Sequence, residues 1–182
     1  MGSDRNRRGV ETEVASRDQP IEETVYRLLA KCAGKLEAEL NRLLRQYELT
    51  TATYDILRIL QAADSTGQSC GDISTQLIAE VPDMTRLLDR LDRLGYVGRK
   101  RSTEDRRVIT VSITDEARQV LSMLSEQVRD FYIRELGHLG SDKLEEFASL
   151  LGVLLGAEKL RDFNMSLSSS DMSVEERVVS EH

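Results

Sequence analysis

The chain has 182 residues, a length that fits one domain with at most a small subdomain. Hydrophobic residues make up 40% and charged residues 31%, and the long proline-free, leucine-rich segments favour an all-helical body. The two cysteines, Cys32 and Cys70, and the two histidines form no zinc-ligand spacing, so no metal or other cofactor is predicted. No apolar run resembles a signal peptide or membrane span, so a cytoplasmic protein without membrane contact is expected.

The net charge of −7 argues at first against a nucleic-acid partner. Between Pro82 and Val108, however, eight basic and five acidic side chains give a net charge of +3, so the rest of the chain has a net charge of −10. The local field steers a polyanion more than the net charge does. The charge distribution is therefore compatible with DNA contact confined to one basic segment.

The N-terminal part of the chain predicts a tail followed by two helices. Residues 1–19 are polar and of mixed charge, as in a disordered tail. From Pro20 onward, apolar residues recur at spacings of three and four residues, which predicts a first helix over about 20–47. That helix is long for a small domain, so one end is expected to pack outside its own monomer's core. Thr50 is a candidate N-cap of a second helix that ends near Ala63.

The middle of the chain predicts a helix-turn-helix. A turn from Asp64 to Gln68 leads to a short third helix, which Ser69 is expected to cap. After a turn over 79–81, Pro82 is expected to open a fourth helix that Gly95 ends. The apolar face of this fourth helix, spaced as for a helix on a core, comprises Met84, Leu87, Leu88, Leu91 and Leu94. Such a second helix is the one that enters the major groove in helix-turn-helix proteins.

A basic hairpin follows the fourth helix. One strand ends in Arg99-Lys100-Arg101, and the polar residues 102–105 form the turn. Ile109, Val111 and Ile113 then alternate with polar or smaller residues, as in a half-buried strand. The helix and hairpin together indicate a recognition helix and its wing.

The C-terminal part predicts two more helices. Thr114 is a candidate cap of a fifth helix, and Ser141 is a candidate cap of a sixth whose leucine stripe is expected to face inward. The first, fifth and sixth helices bracket the winged helix in sequence. They are expected to form a platform that pairs with its own copy in a two-fold dimer. Residues 164–182 are expected to be a second disordered tail.

Three strings carry a resemblance to a known family: LTTATYDILRIL, DISTQL and MTRLLDRLDRLGYVGRKRSTEDRRVITVSIT. Together they resemble the MarR family of bacterial winged-helix transcriptional regulators, over roughly residues 21–160. The most specific part is STEDRRVITVSIT, an Asp-Arg pair followed by an alternating strand and a helix-capping threonine. The sequence departs from common members at Pro82 and Asp83, where Ser or Thr is frequent. Asp83 can cap the helix or accept from a cytosine amino group.

The resemblance implies a mainly α fold with a small β-wing: one domain over 20–163, a winged helix over about 50–113, and dimerisation helices over about 20–47 and 114–163. It also implies a homodimer on a pseudo-palindromic operator in double-stranded DNA. Relatives usually repress, and often release DNA when a small phenolic or lipophilic effector binds between the platform and the winged helix. Some sense oxidants through a cysteine.

The predicted DNA contacts cluster on the fourth helix and the wing. Arg106 is predicted to enter the minor groove of DNA, and Asp105 is predicted to orient it. The alternative is that the two residues form a surface salt bridge on the hairpin. Thr85 and Arg86 are predicted to contact base edges or phosphates. Arg90 is predicted to contact a phosphate or to pair with Asp89. The remaining predicted contacts are the phosphate-facing Arg99, Arg101 and Arg107, and Ser69, whose backbone amide can meet a phosphate.

By the family's resemblance alone, the effector pocket is expected near Tyr54, Ile56 and Arg58. Cys32 is interpreted as a small apolar residue and Cys70 as a first-turn residue, with redox sensing as the alternative for both. A protein-binding winged helix is a second alternative, which the wing arginines disfavour. An enzyme is least supported, because the sequence shows no nucleophile-base pair, metal cluster or phosphate loop.

Overall fold

The computed structural model describes residues 20–63, 67–77, 81–101, 109–156 and Leu160. Within them the chain is mostly helical with a small antiparallel sheet, which confirms the predicted fold class. The helices and strands in chain order are α1 (Ile21–Leu44), α2 (Thr51–Ala62), β1 (Gln68–Ser69), α3 (Cys70–Gln76), α4 (Met84–Arg93), β2 (Val97–Arg101), β3 (Ile109–Ile113), α5 (Asp115–Leu136) and α6 (Ser141–Leu155).

The chain divides into two compact units, Met1–Glu39 and Leu40–His182. The first unit contains most of α1, whose side chains Ile21, Val25 and Tyr26 are exposed. The second unit contains the end of α1, a 3-10 turn at Arg45–Tyr47 and all later elements.

The core of the second unit forms where α2, α4 and α5 meet the sheet. Ile56, Leu57, Leu91, Val111 and Leu124 are all fully buried there. Because α2 contributes apolar residues around most of its circumference, it is the central helix of this core. The short helices α3 and α4 lie over it with their polar sides outward, so the core supports the helix-turn-helix directly.

Three helix starts predicted from the sequence are confirmed by their cap hydrogen bonds. The Thr50 side chain accepts a hydrogen bond from the Thr53 amide, and the Ser69 side chain accepts one from the Asp72 amide. Each of these bonds is part of a capping box. The Thr114 hydroxyl likewise accepts from the Ala117 amide. These caps satisfy amides that the first turn of a helix leaves without a partner.

The sheet has the order β1-β3-β2, and its first strand was missed from the sequence. Gln68 was predicted to lie in a turn, but it pairs with Val111, and Ser69 pairs with Thr110. A strand of two residues has no measurable hydrophobic period, so only the tertiary pairing reveals it. In β3, Val111 and Ile113 are buried as predicted, but Ile109 is exposed.

The start of α4 lies two residues later than predicted. Pro82 is outside the helix, and Asp83 is the N-cap, with its carboxylate accepting from the Arg86 amide at 3.0 Å. Of the two roles considered for Asp83, the structure therefore shows the capping role. An anion at this position also interacts favourably with the helix dipole.

The end of α4 forms a Schellman motif. The Tyr96 amide donates to the Leu91 carbonyl and the Gly95 amide to the Asp92 carbonyl, while Gly95 takes a φ of +74°. This left-handed residue turns the chain directly into β2. The predicted helix stop at Gly95 is confirmed, and the glycine is required by its backbone angle.

The predictions for α6 need correction in two respects. Ser141 is the first residue of the helix and not its cap: the cap position is Gly140, and the Ser141 hydroxyl donates to Asp142. The leucine stripe predicted to face inward is exposed in the single chain, with Leu150 at 62% and Leu154 at 71% of full exposure. Nothing in one copy of the described chain buries this stripe.

Replacing Gly67 should destabilise the fold by disrupting β1. Gly67 has a φ of +79°, and an added Cβ would lie 2.7 Å from the Val111 carbonyl oxygen. Backbone strain and this clash lead us to expect that Gly67→Ala lowers the free energy of unfolding by at least about 2 kcal/mol, measured by urea denaturation. The matched control is Gly71→Ala, whose Cβ would meet only the Ser69 hydroxyl at 3.7 Å. Equal stability of the two variants would contradict the strand assignment.

Candidate nucleic-acid interface

The outer face of α4 is polar because the apolar residues of this helix recur at helical spacing on its other face. Leu88 and Leu91 are buried, whereas Thr85, Arg86, Asp89 and the other polar side chains of the helix are exposed. Thr85 and Arg86 lie in the first turn beyond the Asp83 cap. The structure therefore places both predicted base-reading residues together at the exposed N-terminal end of the helix.

Arg90, predicted to contact a phosphate or Asp89, is held by the backbone on one flank of α4. Its Nη2 donates to the Glu48 carbonyl oxygen at 2.6 Å. Glu48 is the one non-glycine residue with a positive φ (57°) within the described part of the chain. This left-handed conformation follows the 3-10 turn after α1. The contact ties α4 to the segment that precedes α2.

Arg99, predicted to contact a phosphate, contacts the neighbouring position of α4, Asp89. Its Nη2 lies 2.6 Å from Asp89 Oδ1, and its side chain is 27% exposed. Arg90 and Arg99 thus hold neighbouring positions of α4 from two sides. Neither Asp89 nor Glu48 was chosen from the sequence as a partner that fixes this helix, because such pairings depend on which strand packs beside it.

The remaining predicted wing contacts are only partly within the described residues. Lys100 and Arg101 are exposed at the end of β2. Asp105, Arg106 and Arg107 lie outside the described residues, so their predicted roles stay predictions. The two flanking strands are paired in register from Val97 with Ile113 to Arg101 with Ile109. This antiparallel pairing of β2 and β3 is what the wing interpretation requires of the described residues.

Ser69, predicted to meet a phosphate through its amide, is occupied by its own helix. The Ser69 hydroxyl donates to Asp72 Oδ2 at 2.7 Å, and the Ser69 amide donates to the same oxygen at 3.4 Å. A carboxylate already lies where a phosphate would approach. The capping role therefore accounts for this residue in the free protein.

A cavity of about 650 Å³ lies along α4, from its cap residue Asp83 to Leu94, beside the start of α2. Its lining combines three arginines with two carboxylates and several apolar side chains, so the basic side chains outnumber the acidic ones. Its lining residues are Glu48, Ala52, Val81, Pro82, Asp83, Arg86, Leu87, Arg90, Arg93 and Leu94.

The residues expected to line an effector pocket lie elsewhere. Ile56 is fully buried in the core, whereas Tyr54 and Arg58 lie near each other on another face of α2. Burial raises the pKa of the neighbouring Asp55 to about 6, and the nearby Arg58 partly offsets this effect. Burial likewise raises the pKa of Tyr132. This face is a polar cluster between α2 and α5, and Ile56 is not part of it.

Both cysteines are exposed in the structure. Cys32, expected on an apolar stripe, is exposed on α1, and Cys70 is the first residue of α3. Among the described residues, no group of three or more His, Cys, Asp or Glu side chains is placed to hold a metal. No helix in the described ranges is long and apolar enough to cross a membrane.

The chain is similar to known transcriptional regulators in sequence and in fold. A family model described as "Transcriptional regulator SarA/Rot" matches residues 40–124. The solved MarR transcription factor from Planctomyces limnophilus is 36% identical, covers 75% of this chain and 98% of its own, and superposes with a TM-score of 0.59. The HTH-type transcriptional repressor IacR of Pseudomonas putida is 28% identical over 126 residues, 69% of this chain and 74% of its own.

The fold also matches a protein solved on DNA. A cysteine-to-serine mutant of MarR from Escherichia coli, complexed with operator DNA, superposes with a TM-score of 0.66 at 22% identity, over 72% of this chain and 94% of its own. The fold and the polar helix-and-wing surface define a winged-helix DNA-binding regulator, not an enzyme. The chain belongs to the MarR family of transcriptional regulators.

Proposed function

We propose that this protein is a cytoplasmic, homodimeric repressor that binds a pseudo-palindromic operator through α4 and the wing, and releases it on binding a small amphipathic anion. The observation that supports it best is the exposed N-terminal end of α4, where Thr85 and Arg86 lie free of the core. Each copy would insert α4 into the major groove and bring Arg101 and Arg106 to the sugar-phosphate backbone and minor groove. Occupancy of a promoter by such a dimer is sufficient for repression.

Arg86→Ala should weaken operator binding by about tenfold, because an arginine in the first turn of α4 contacts a base edge or a phosphate. Operator fragments are first selected from random-sequence DNA with the full chain, and affinity is then measured by gel shift over a range of salt concentrations. The matched control is Arg129→Ala, which removes an exposed arginine from α5. A base contact would relax sequence preference, whereas a phosphate contact would lower the salt slope by about 0.9. Unchanged affinity with Arg86→Ala would contradict the proposed role of α4.

Dimerisation is proposed from the apolar stripe on α6. Leu150, Leu151 and Leu154 recur at helical spacing and are all exposed in the single chain. Contiguous apolar surface of this kind is typical of an interface, and a two-fold dimer buries the same stripe from both copies. Exposed apolar side chains also recur along the first part of α1.

Leu154→Lys should convert the dimer to monomers, because it places a charge within the buried stripe of each copy. The mass in solution is measured by sedimentation equilibrium, and helix content by circular dichroism shows whether the monomer stays folded. Glu145→Lys is the control, since Glu145 is exposed nine residues away, on the opposite side of the helix. Dimers that persist in Leu154→Lys, or a wild-type chain that is monomeric, would rule out this interface.

The effector is proposed to bind in the cavity beside α4. An aromatic carboxylate would place its ring on Leu87 and Leu94 and its anion at Arg86 or Arg93. Hydroxybenzoates should therefore raise the melting temperature of the wild-type chain and weaken its operator binding, whereas the corresponding neutral amides should do neither. Arg93→Gln should reduce the thermal shift. Equal effects of acids and amides would show that anion recognition at this cavity is wrong.

A further inference from the structure

The side chain of Arg99 lies on the inner face of the sheet. Side chains alternate along a strand, so Arg99 shares a face with Val97, which is buried, and it is paired across the sheet with Val111, which is fully buried. The same face packs beside α4. An arginine in this register points toward the helix and away from the side of the wing that is open to solvent.

The contact that Arg99 makes there is a close ion pair. Nη2 is 2.6 Å from Asp89 Oδ1, and the side chains of Arg99 and Asp89 are 27% and 54% exposed. Nε and Nη2 are both buried, and neither donates with hydrogen-bond geometry to an acceptor in the described part of the chain. Asp89 therefore supplies the compensating charge for a guanidinium that is largely withdrawn from water.

We propose that the Asp89–Arg99 pair sets the position of the wing relative to α4, and that Arg99 is a positioning residue and not a phosphate contact. This inference rests on the proposed function. A winged helix reads DNA at two places at once, with one helix in the major groove and the wing at the backbone and minor groove. The pair joins these two elements directly, because Asp89 is on α4 and Arg99 is in the middle of β2.

The contact on the other flank makes the fixation two-sided. Arg90 follows Asp89 in the helix and is held by the Glu48 carbonyl. Successive residues project about 100° apart around a helix, so the two contacts hold α4 at two different points of its circumference. The loss of Asp89–Arg99 would remove this side-chain contact between α4 and β2, so the angle of the wing relative to α4 would be less restricted.

The test compares four full-length proteins on a selected operator: wild type, Arg99→Gln, Asp89→Asn and the double variant. Arg101→Gln is the reference, since Arg101 is an exposed cation two residues along the same strand. Affinity is measured as a function of salt, on operator and on non-specific DNA. Melting temperatures without DNA show that each variant is folded.

Each single variant should weaken operator binding by at least about threefold with an unchanged salt slope, and the double variant should be no weaker than the weaker single variant. Non-specific binding should stay the same. Arg101→Gln should instead lower the slope by about 0.9 on both kinds of DNA. The reversed pair, Asp89→Arg with Arg99→Asp, should recover part of the lost affinity. If a single variant unfolds, this reversed pair replaces it as the test of the ion pair.

Three outcomes would overturn the proposal. A lower salt slope for Arg99→Gln would make Arg99 a phosphate contact. Unchanged or stronger binding by Asp89→Asn would show that the pair does not position the wing. Additive losses in the double variant would show that the two residues act separately. Failure of the wild-type chain to select any operator would refute the proposed function itself, and is distinct from all three.

Discussion

The proposed recognition helix must keep one face free for DNA, and this requirement is severe for α4 because it has only ten residues. A helix of this length is not stable alone in water, and its buried stripe contains just two fully buried leucines, Leu88 and Leu91. Its position must therefore be fixed by contacts at its ends and flanks. Asp83 caps its start, a Schellman motif closes its end, and Arg90 and Arg99 hold its two sides.

This arrangement changes the meaning of the basic residues around the helix. A count of arginines between residues 82 and 108 suggests a broad cationic surface, but two of these arginines contact other parts of the protein. Arg90 donates to the Glu48 carbonyl and Arg99 pairs with Asp89, whereas Arg86, Lys100 and Arg101 are exposed cations on or beside α4. The acidic remainder of the chain then limits attraction of DNA to the surface from which these side chains project.

The sequence predicted the features that depend on local chemistry. Thr50, Ser69 and Thr114 were identified as caps because a cap needs only a side chain and an amide three residues away. Gly95 was identified for the same reason, since the end of α4 and its turn are encoded within a few consecutive residues.

Features that depend on distant segments were missed or misassigned. Strand β1 exists because β3 is beside it, and the contact of Arg99 with Asp89 was not foreseen because the two residues lie on different elements. The stripe on α6 was expected to face a core, but one copy of the chain does not bury it. A hydrophobic period shows that a helix face will be covered and does not show which chain covers it.

Thr114 joins the end of α4 directly to the start of α5, although the two hairpin strands lie between them in sequence. Its hydroxyl donates to the Gly95 carbonyl at 2.8 Å, its amide donates to the Tyr96 carbonyl, and the same hydroxyl caps α5. The last turn of α4 and the first turn of α5 are therefore linked through one side chain. A displacement of α5 would therefore act directly on the C-terminal end of α4, through the hydrogen bonds of Thr114.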